Sequence, residues 1–454
     1  MRLIDSLATT EPLAELFCDD SVLTAMLEFE VALARAEARL GIVPQTAADA
    51  IATAAKSKNF DSAALAQAAL RAGTPAIPLV KALTEQVRRS SAEAARFVHW
   101  GATSQDVADT AMSLLLKRAE SLLTDDLIRL EKALARLAEQ YKQSVMLGRT
   151  LLQPAPPVTF GLKAVGWLGA IRRGKHRLRT GFQTAAIMQF GGASGTLASL
   201  GDQGMALTRV LAEELGLNAF PEAPWHTQRD RLAALICSCG VLTGSLGKMA
   251  RDISLLMQNE VGEAAEPGGE GRGGSSTMPH KRNPTACALT LGAAHRVPGL
   301  VASYLSAMVQ EHERGVGGWH TEWPIVAAVI QSAGLAISSM AEVAEGLSVN
   351  TEQMRANIER TDGVIFAERA MMLLGSELGR DVAHKILETA TNKCVLEGRH
   401  LAEVLAEIPE VTAHLDPGAL LRLEVPEQYL GSAEEFRVAL LSNSGRDADT
   451  KKEQ

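Results

Sequence analysis

Cysteine is scarce in this chain: five residues among 454 (Cys18, Cys237, Cys239, Cys287 and Cys394), an odd number with no Cys-x-x-Cys pair. That excludes a disulfide framework and a thiolate zinc site, and leaves buried free thiols as the expectation. Aromatic residues make up only 4% of the sequence, and stretches that alternate apolar with polar residues are almost absent, so a sheet-built core has little to draw on. A basic excess is also missing. The formal net charge is -8 and no basic face is segregated, which argues against a nucleic acid or a membrane surface as partner. No apolar run reads as long enough to span a bilayer, and Asp5 and Glu11 interrupt the N-terminal stretch where a signal peptide needs continuous apolarity. A cytoplasmic protein is expected.

What the chain does have is a hydrophobic content of 46% and helical periodicity over most of its length, enough for one large core or for two to three domains. Leu123, Leu127, Leu130, Leu134, Leu137 and Tyr141 step alternately by four and three, which predicts one long helix over about 105–142. At a rise of about 1.5 Å per residue that helix is roughly 55 Å long, more than a monomeric domain covers by itself. Leu232, Leu235, Cys239, Leu242, Leu246, Met249, Ile253 and Leu256 repeat the spacing, and further helices are predicted over about 157–187, 285–312 and 324–347. The expected class is all-α, with a central bundle of about five long helices in a multi-helix assembly. Shorter helices flank it, one over about 21–40 stopped by Gly41 with Pro44 beyond. The expected division is an N-terminal helical region 1–104, a central bundle 105–350 and a C-terminal helical region 351–454, ending in a frayed tail.

The stretch GRGGSSTMPHKRNPT (271–285) joins two of the predicted long helices. Residues 269–274 formally satisfy G-x-G-x-x-G, but a helix precedes them rather than a strand, so the dinucleotide reading fails, and no Gly-Lys-Ser/Thr follows to make a P-loop. As a plain connection the segment needs only its glycines. It adds Ser275 and Ser276, then Lys281 and Asn283 just before the next helix: hydroxyls, a fixed cation and an amide on a mobile backbone. Such a loop fits proton transfer beside a carboxylate.

The segment resembles the signature of the fumarase/aspartase superfamily, a pattern close to GSSxMPxKxNP. HWGATSQDVADT (99–110) and GRTLLQPAPPVTFG (148–161) resemble that family's other two shared regions. The resemblance implies a homotetramer around a core of twenty helices, with each active site assembled from three subunits. It also implies elimination or addition of a group beta to a carboxylate, in which the serine matching Ser275 moves the alpha proton and a dianionic enolate forms.

Two departures from the family pattern narrow the chemistry. Several branches protonate the leaving group with a histidine in a T-H-x-Q motif, paired with a glutamate four residues after the signature proline; here those positions are Leu151 and Ala288. Joint loss of both suggests a leaving group that needs no proton, and a carboxylate, with a conjugate-acid pKa of about 4, is one. The muconate cycloisomerase branch does this: one carboxylate of a 3-carboxymuconate adds to a double bond and the enolate is protonated, giving 4-carboxymuconolactone in aromatic catabolism. EHERGVGGWHTEW (311–323) resembles an adenylosuccinate lyase stretch, WHERDISHSSVER, but carries Trp319, His320 and Trp323 at its phosphate-binding positions, and TPAIPL (74–79) replaces that lyase's first histidine motif. An adenylosuccinate-type lyase and a non-catalytic structural relative remain as alternatives.

The candidate site residues follow. Ser275, with Ser276 as the alternative, is the expected proton carrier. Lys281 and Asn283 bind a carboxylate and stabilise the enolate, or else cap and solubilise a helix start. Thr103 and Ser104, just before the long helix, form an anion site, an N-cap or both. His99 is a substrate contact or a satisfied core histidine, and Gln153, between proline-rich turns, is a contact. Lys281, Arg282, Arg314 and Arg149 are candidates to supply positive charge to a polycarboxylate substrate. Trp319 and Trp323 are core residues or aromatic walls. His312, Glu313, His320 and Glu322 lack HExxH spacing and are not read as a metal site, and no cofactor is expected.

Overall fold

The computed structural model describes residues 3–219, 224–269, 273–274, 277–278 and 280–442. Ser275, Ser276 and the C-terminal tail from 443 lie outside the described residues.

Among the described residues the chain is all-α apart from two small sheets. The elements used below are α1 (Asp19–Arg39), α2 (Ser104–Gln140), β1 (Val145–Thr150), β2 (Gln153–Thr159), α3 (Phe160–Ala185), α4 (Asp230–Leu256), α5 (Thr285–Ala307), α6 (Gly318–Gly346) and α7 (Thr351–Glu359). Helix α2 contains neither glycine nor proline, and its stripe Leu123, Leu127, Leu130, Leu134 and Leu137 is buried as its spacing requires. The five long helices are those the periodicity predicts, with shifted ends. Helix α3 starts at Phe160 rather than near 157 because Pro154, Pro156 and Pro157 belong to β2, which pairs antiparallel with β1. Helix α5 stops at Ala307, ahead of a segment in which His312 and Gly317 have positive φ. Helix α6 begins six residues before Pro324, because tertiary contacts of Trp319, His320 and Glu322 hold its first turns in spite of the proline.

The chain divides into two compact units. The first comprises 1–128, 173–247 and 289–339, the second 129–172, 248–288 and 340–454, so each of the five long helices contributes a segment to both. The first unit's core gathers Met26, Phe29 and Leu33 of α1 with Leu79, Leu83, Val107, Leu115, Leu207 and Leu211. The second unit's core packs Val145 and Leu147 of β1 with Ile358, Phe366, Leu374, Leu387, Leu405 and Leu423.

Two expectations need correction. Helices α4 and α6 are, by length and composition, long and apolar enough to cross a membrane, contrary to the reading that no run is; burial of 56% and 72% of their most apolar windows accounts for that composition as core. The Pro-rich stretch after Gln153 is a strand and not a second turn: proline is tolerated in a two-stranded ribbon, which leaves every second backbone N–H unpaired. All five cysteines are free as expected, but only Cys239, Cys287 and Cys394 are buried; Cys18 is exposed and Cys237 half-buried.

Helix α1 carries an unusual load for a core helix, since Glu30 and Glu37, seven residues apart, are both buried. Neither oxygen of Glu37 has a partner among the described residues. Burial first, and the charge of Glu30 second, push the Glu37 carboxyl from 4.5 up to about 9. The folded chain therefore holds this proton between those two values while the unfolded chain releases it, so Glu37 lowers stability progressively as pH rises through that window. Replacing it with an apolar residue, Glu37→Met, is expected to raise stability, and to do so by ~2–4 kcal/mol more at pH 8 than at pH 5. Urea denaturation at the two pH values checks this; an equal effect at both would mean that Glu37 is ionised in the folded chain.

Candidate active site

In the first unit the segment 99–106 is built around a helix start. His99 and Gly101 have positive φ, and the chain then enters α2 at Ser104. Asp106, in the third helical position, accepts the backbone N–H of Thr103 at 3.0 Å, one half of a capping box. The cap is therefore supplied by Asp106, and the hydroxyls of the two preceding candidates are engaged elsewhere. Arg314 donates through Nη1 to Thr103 Oγ1 at 2.8 Å and through Nη2 to Ser104 Oγ at 3.0 Å. Because each hydroxyl accepts from the guanidinium, its own proton stays available to an anion, as do the unpaired N–H groups of the first helical turn. Three sequence candidates thus come together: two hydroxyls, a cation and a helix N-terminus, the donor set that an anion cradle needs.

The Asp106 carboxylate is fully engaged by hydrogen bonds. Its oxygens also accept from Gly191 N (3.0 Å), Gly192 N (2.9 Å), Gln189 Nε2 (3.2 Å) and His226 Nε2 (3.1 Å). One turn further on, Asp109 and Glu322 hold Arg229 between them. Arg229 Nη1 meets Asp109 Oδ2 at 2.9 Å and Nη2 meets Glu322 Oε2 at 2.5 Å, with all three side chains at most 2% exposed. Burial works against the guanidinium, but the two carboxylates outweigh it and raise its pKa, so Arg229 stays charged. Trp319 donates to Asp109 at 3.0 Å, Gln310 donates to Glu322 at 2.9 Å, and Arg229 lies over the Trp225 ring at 4.5 Å. The cluster fixes both ends of the 308–317 segment that carries Arg314, and Thr227 pins its middle by donating to the His312 carbonyl at 2.8 Å.

Trp319 is therefore a core residue with a hydrogen bond, and Trp323 packs on the first unit's core. His320 bonds through Nε2 to the Gly73 carbonyl at 2.9 Å. His99 is half-buried with Nδ1 2.7 Å from Glu30 Oε1. Burial opposes its protonation, but Glu30, through its charge and hydrogen bond, and then Asp106 outweigh that and raise the His99 pKa.

In the second unit β1 and β2 are joined by Leu151 and Leu152, a two-residue turn with positive φ at both positions, as a type I′ turn requires and as leucine disfavours. Leu151 is 97% exposed and Leu152 72%. The register slips by one residue at Gly148, where a Cβ would lie 2.4 Å from the Pro156 carbonyl oxygen, so only glycine fits the bulge. Gln153 pairs with Thr150 at the turn and is exposed. Arg149 corrects an expectation: its guanidinium grips buried Glu263 at 2.6 and 2.9 Å, and Asn357 of α7 donates to the same carboxylate at 2.7 Å, so its charge is compensated within the fold. Lys163 on α3 has its pKa pulled down by burial, with Lys248 and Arg149 adding to the effect and Asp252 and Glu263 opposing it.

The signature loop is described in part. Asn283 N donates to the Gly273 carbonyl at 2.9 Å and its Nδ2 to the Gly274 carbonyl at 3.3 Å, so the asparagine closes the loop at its base. Gly273 has φ +63, and a Cβ there would lie 2.8 Å from the Asn283 carbonyl oxygen. Lys281 is exposed. The start of α5 is capped from a distance: Glu266 accepts from Ala286 N at 3.1 Å and Cys287 N at 2.7 Å. Sequence reading missed Glu30, Asp109, Arg229, Glu263 and Glu266. Only Asp106 had a local signal, the Thr-x-x-Asp spacing.

The lyase family pattern matches residues 7–299, and the adenylosuccinate lyase C-terminus pattern matches 363–438. The 3-carboxy-cis,cis-muconate cycloisomerase of Bradyrhizobium diazoefficiens is 49% identical over 431 residues, 95% of this chain and 95% of that protein. The nitrosuccinate lyase of Streptomyces davaonensis is 42% identical over 440 residues, 95% of this chain and 92% of that protein. The crystal structure of the 3-carboxy-cis,cis-muconate lactonizing enzyme from Pseudomonas putida matches with a TM-score of 0.92 and 44% identity, over 99% of this chain and 100% of that one.

The Arg229 cluster yields a stability test. Arg229→Met leaves two buried carboxylates facing each other without a cation and is expected to cost ~3–5 kcal/mol. Denaturant titration should show the deficit narrowing at pH 5, where the carboxyls regain protons more readily. A deficit below ~1 kcal/mol at pH 7 would show that the cluster does not hold this region together.

Proposed function

We propose that this chain, which belongs to the lyase family of the fumarase/aspartase superfamily, is a cycloisomerase interconverting 3-carboxy-cis,cis-muconate and 4-carboxymuconolactone. The observation that carries the reading is the turn Thr150–Gln153. Where several branches of the superfamily hold a histidine, it presents two leucines and no titratable side chain, and position 288 is alanine rather than glutamate.

In the lactone-forming direction, a carboxylate oxygen of the substrate bonds to one carbon of a double bond conjugated to a second carboxylate. The double-bond electron pair moves to the alpha carbon and into that second carboxylate, giving a dianionic enolate. A proton added to the alpha carbon completes the lactone. In reverse, a base removes the alpha proton and the ring carboxylate departs as a stable anion that needs no acid. No electrons are gained or lost overall, so the steps require no redox cofactor. The reaction asks for an anion cradle, a proton carrier at the alpha carbon and a cation beside the enolate.

In this reading Thr103, Ser104 and Arg314 hold one carboxylate, His99 and Gln153 contact the substrate, Lys281 and Asn283 stabilise the enolate, and Ser275, or else Ser276, carries the proton. The reading includes a cytoplasmic homotetramer with sites assembled from more than one subunit. Exposed apolar surface supports that assembly: Leu151 and Leu152 at the turn, and Val241 (52% exposed) on α4 and Leu305 (44%) on α5, among small residues such as Gly244, Gly292 and Ala302. An adenylosuccinate substrate fits poorly. Trp319, at a position where that lyase resemblance places a phosphate ligand, is buried against Asp109.

Incubation with 3-carboxy-cis,cis-muconate is expected to bleach the conjugated-diene absorbance, with fumarate, adenylosuccinate and nitrosuccinate turned over slowly or not at all. Ser275→Ala is expected to reduce the rate at least ~100-fold with folding intact. Efficient elimination from nitrosuccinate or adenylosuccinate, with carboxymuconate inert, would overturn the assignment; a near-normal Ser275→Ala variant would move the proton carrier to Ser276.

A further inference from the structure

We infer that Glu30 is a positioning residue for the reaction: it holds His99 by Nδ1 as an imidazolium and aims Nε2–H at the carboxylate bound by Thr103, Ser104 and Arg314. The inference rests on the anion-cradle reading above.

The contact between the two residues is short and enclosed. His99 Nδ1 lies 2.7 Å from Glu30 Oε1, the Glu30 side chain is 1% exposed and that of His99 18%. Glu30 sits on α1 among Phe29, Leu33 and Ala34, where a carboxylate has no reason to be on packing grounds, and its other oxygen, Oε2, is buried with no partner among the described residues. His99 stands four residues before Thr103, in a left-handed conformation (φ 60) that non-glycine residues disfavour. A strained backbone, a buried carboxylate and a half-buried imidazole converge on one hydrogen bond. Strain of this kind persists where the surroundings over-determine it.

Ring geometry completes the argument. With Nδ1 committed to Glu30, Nε2 is the only polar atom of the ring still available, and it has no hydrogen bond to any described residue. The charge of Asp106 acts on His99, and Asp106 itself accepts the Thr103 N–H, so one carboxylate connects the imidazole to the residue that opens the cradle. Protonated, the imidazole donates from both nitrogens, to Glu30 on one side and to a substrate carboxylate on the other. The groups that face it are Glu30 from α1 and Asp106 from α2. Around them, the charge of Glu30 acts on Glu37, His226 bonds to Asp106, and Arg314 bonds to Thr103 and Ser104.

Glu30→Gln tests the pairing, since the amide keeps an acceptor at Nδ1 and removes the charge. Losing the carboxylate lowers the His99 pKa, so the alkaline limb of kcat/KM for carboxymuconate moves to lower pH. At pH 8 kcat/KM is expected to fall about tenfold further than at pH 6, with the loss falling mainly on KM. Histidine ring NMR, which needs no turnover, is expected to show His99 titrating at lower pH in the variant. An unchanged titration overturns the inference, as does a titration that moves while the kcat/KM limb stays in place. Should Glu30→Gln fail to fold, His99→Gln removes the titrating group itself; persistence of the alkaline limb in that variant likewise overturns it. A chain that shows the NMR shift but no activity toward carboxymuconate at any pH contradicts the proposed reaction and leaves the Glu30–His99 coupling standing.

Discussion

Arg229, buried between Asp109 and Glu322, is the interaction on which the polar geometry of the first unit depends. A guanidinium and two carboxylates taken out of water are a poor source of net stability, since their desolvation consumes most of what their attraction returns. What they supply is registry. Asp109 lies one turn into α2, Arg229 immediately before α4 and Glu322 at the start of α6, so the cluster sets three helix beginnings against one another. Gln310 and Trp319 extend it to both borders of the segment that carries Arg314. The fork of Arg314 on Thr103 and Ser104 needs two hydroxyls and one guanidinium at fixed separation, and those hydroxyls stand at the start of the same helix that Asp109 anchors.

The same economy explains which charges are left to meet a substrate. Glu263 is a buried acid and Arg149 is consumed by it, so neither contributes a free charge, while Asp106 keeps its carboxylate charge under five hydrogen bonds. Arg314 differs because its partners are neutral hydroxyls, which leaves its positive charge uncompensated in the cradle. An overall net charge of -8 is therefore compatible with a polycarboxylate ligand.

The fold class and the five long helices were legible because heptad-like spacing is a local signal that burial then enforces. Boundaries moved where tertiary contacts overrode local rules: α6 runs through Pro324 because Trp319, His320 and Glu322 are each tied down, and β2 forms from a proline-rich stretch with no alternation to announce it. Within the site, the Thr103–Ser104 cradle was readable as a helix start with hydroxyls, and Arg314 as a cation near it in function. The cap from Asp106 was readable in principle from spacing alone. Glu30 and Arg229 were not. Their partners lie 69 and up to 120 residues away, and a lone buried acid or arginine has the same local sequence whether it is paired or not. Arg149 misled for the same reason, because its proximity to a motif said nothing of Glu263.

The central claim is that the chemistry needs no acid on the departing oxygen, so that Leu151 and Ala288 mark a carboxylate leaving group and not a damaged lyase. Steady-state kinetics of the double variant Leu151→His, Ala288→Glu on carboxymuconate tests it most directly. The attacking carboxylate is already ionised at neutral pH, so the restored pair has no proton to exchange with it, and kcat is expected to stay level or to fall. A clear rise in kcat would contradict the account, because it would mean that the native site lacks an acid it could use.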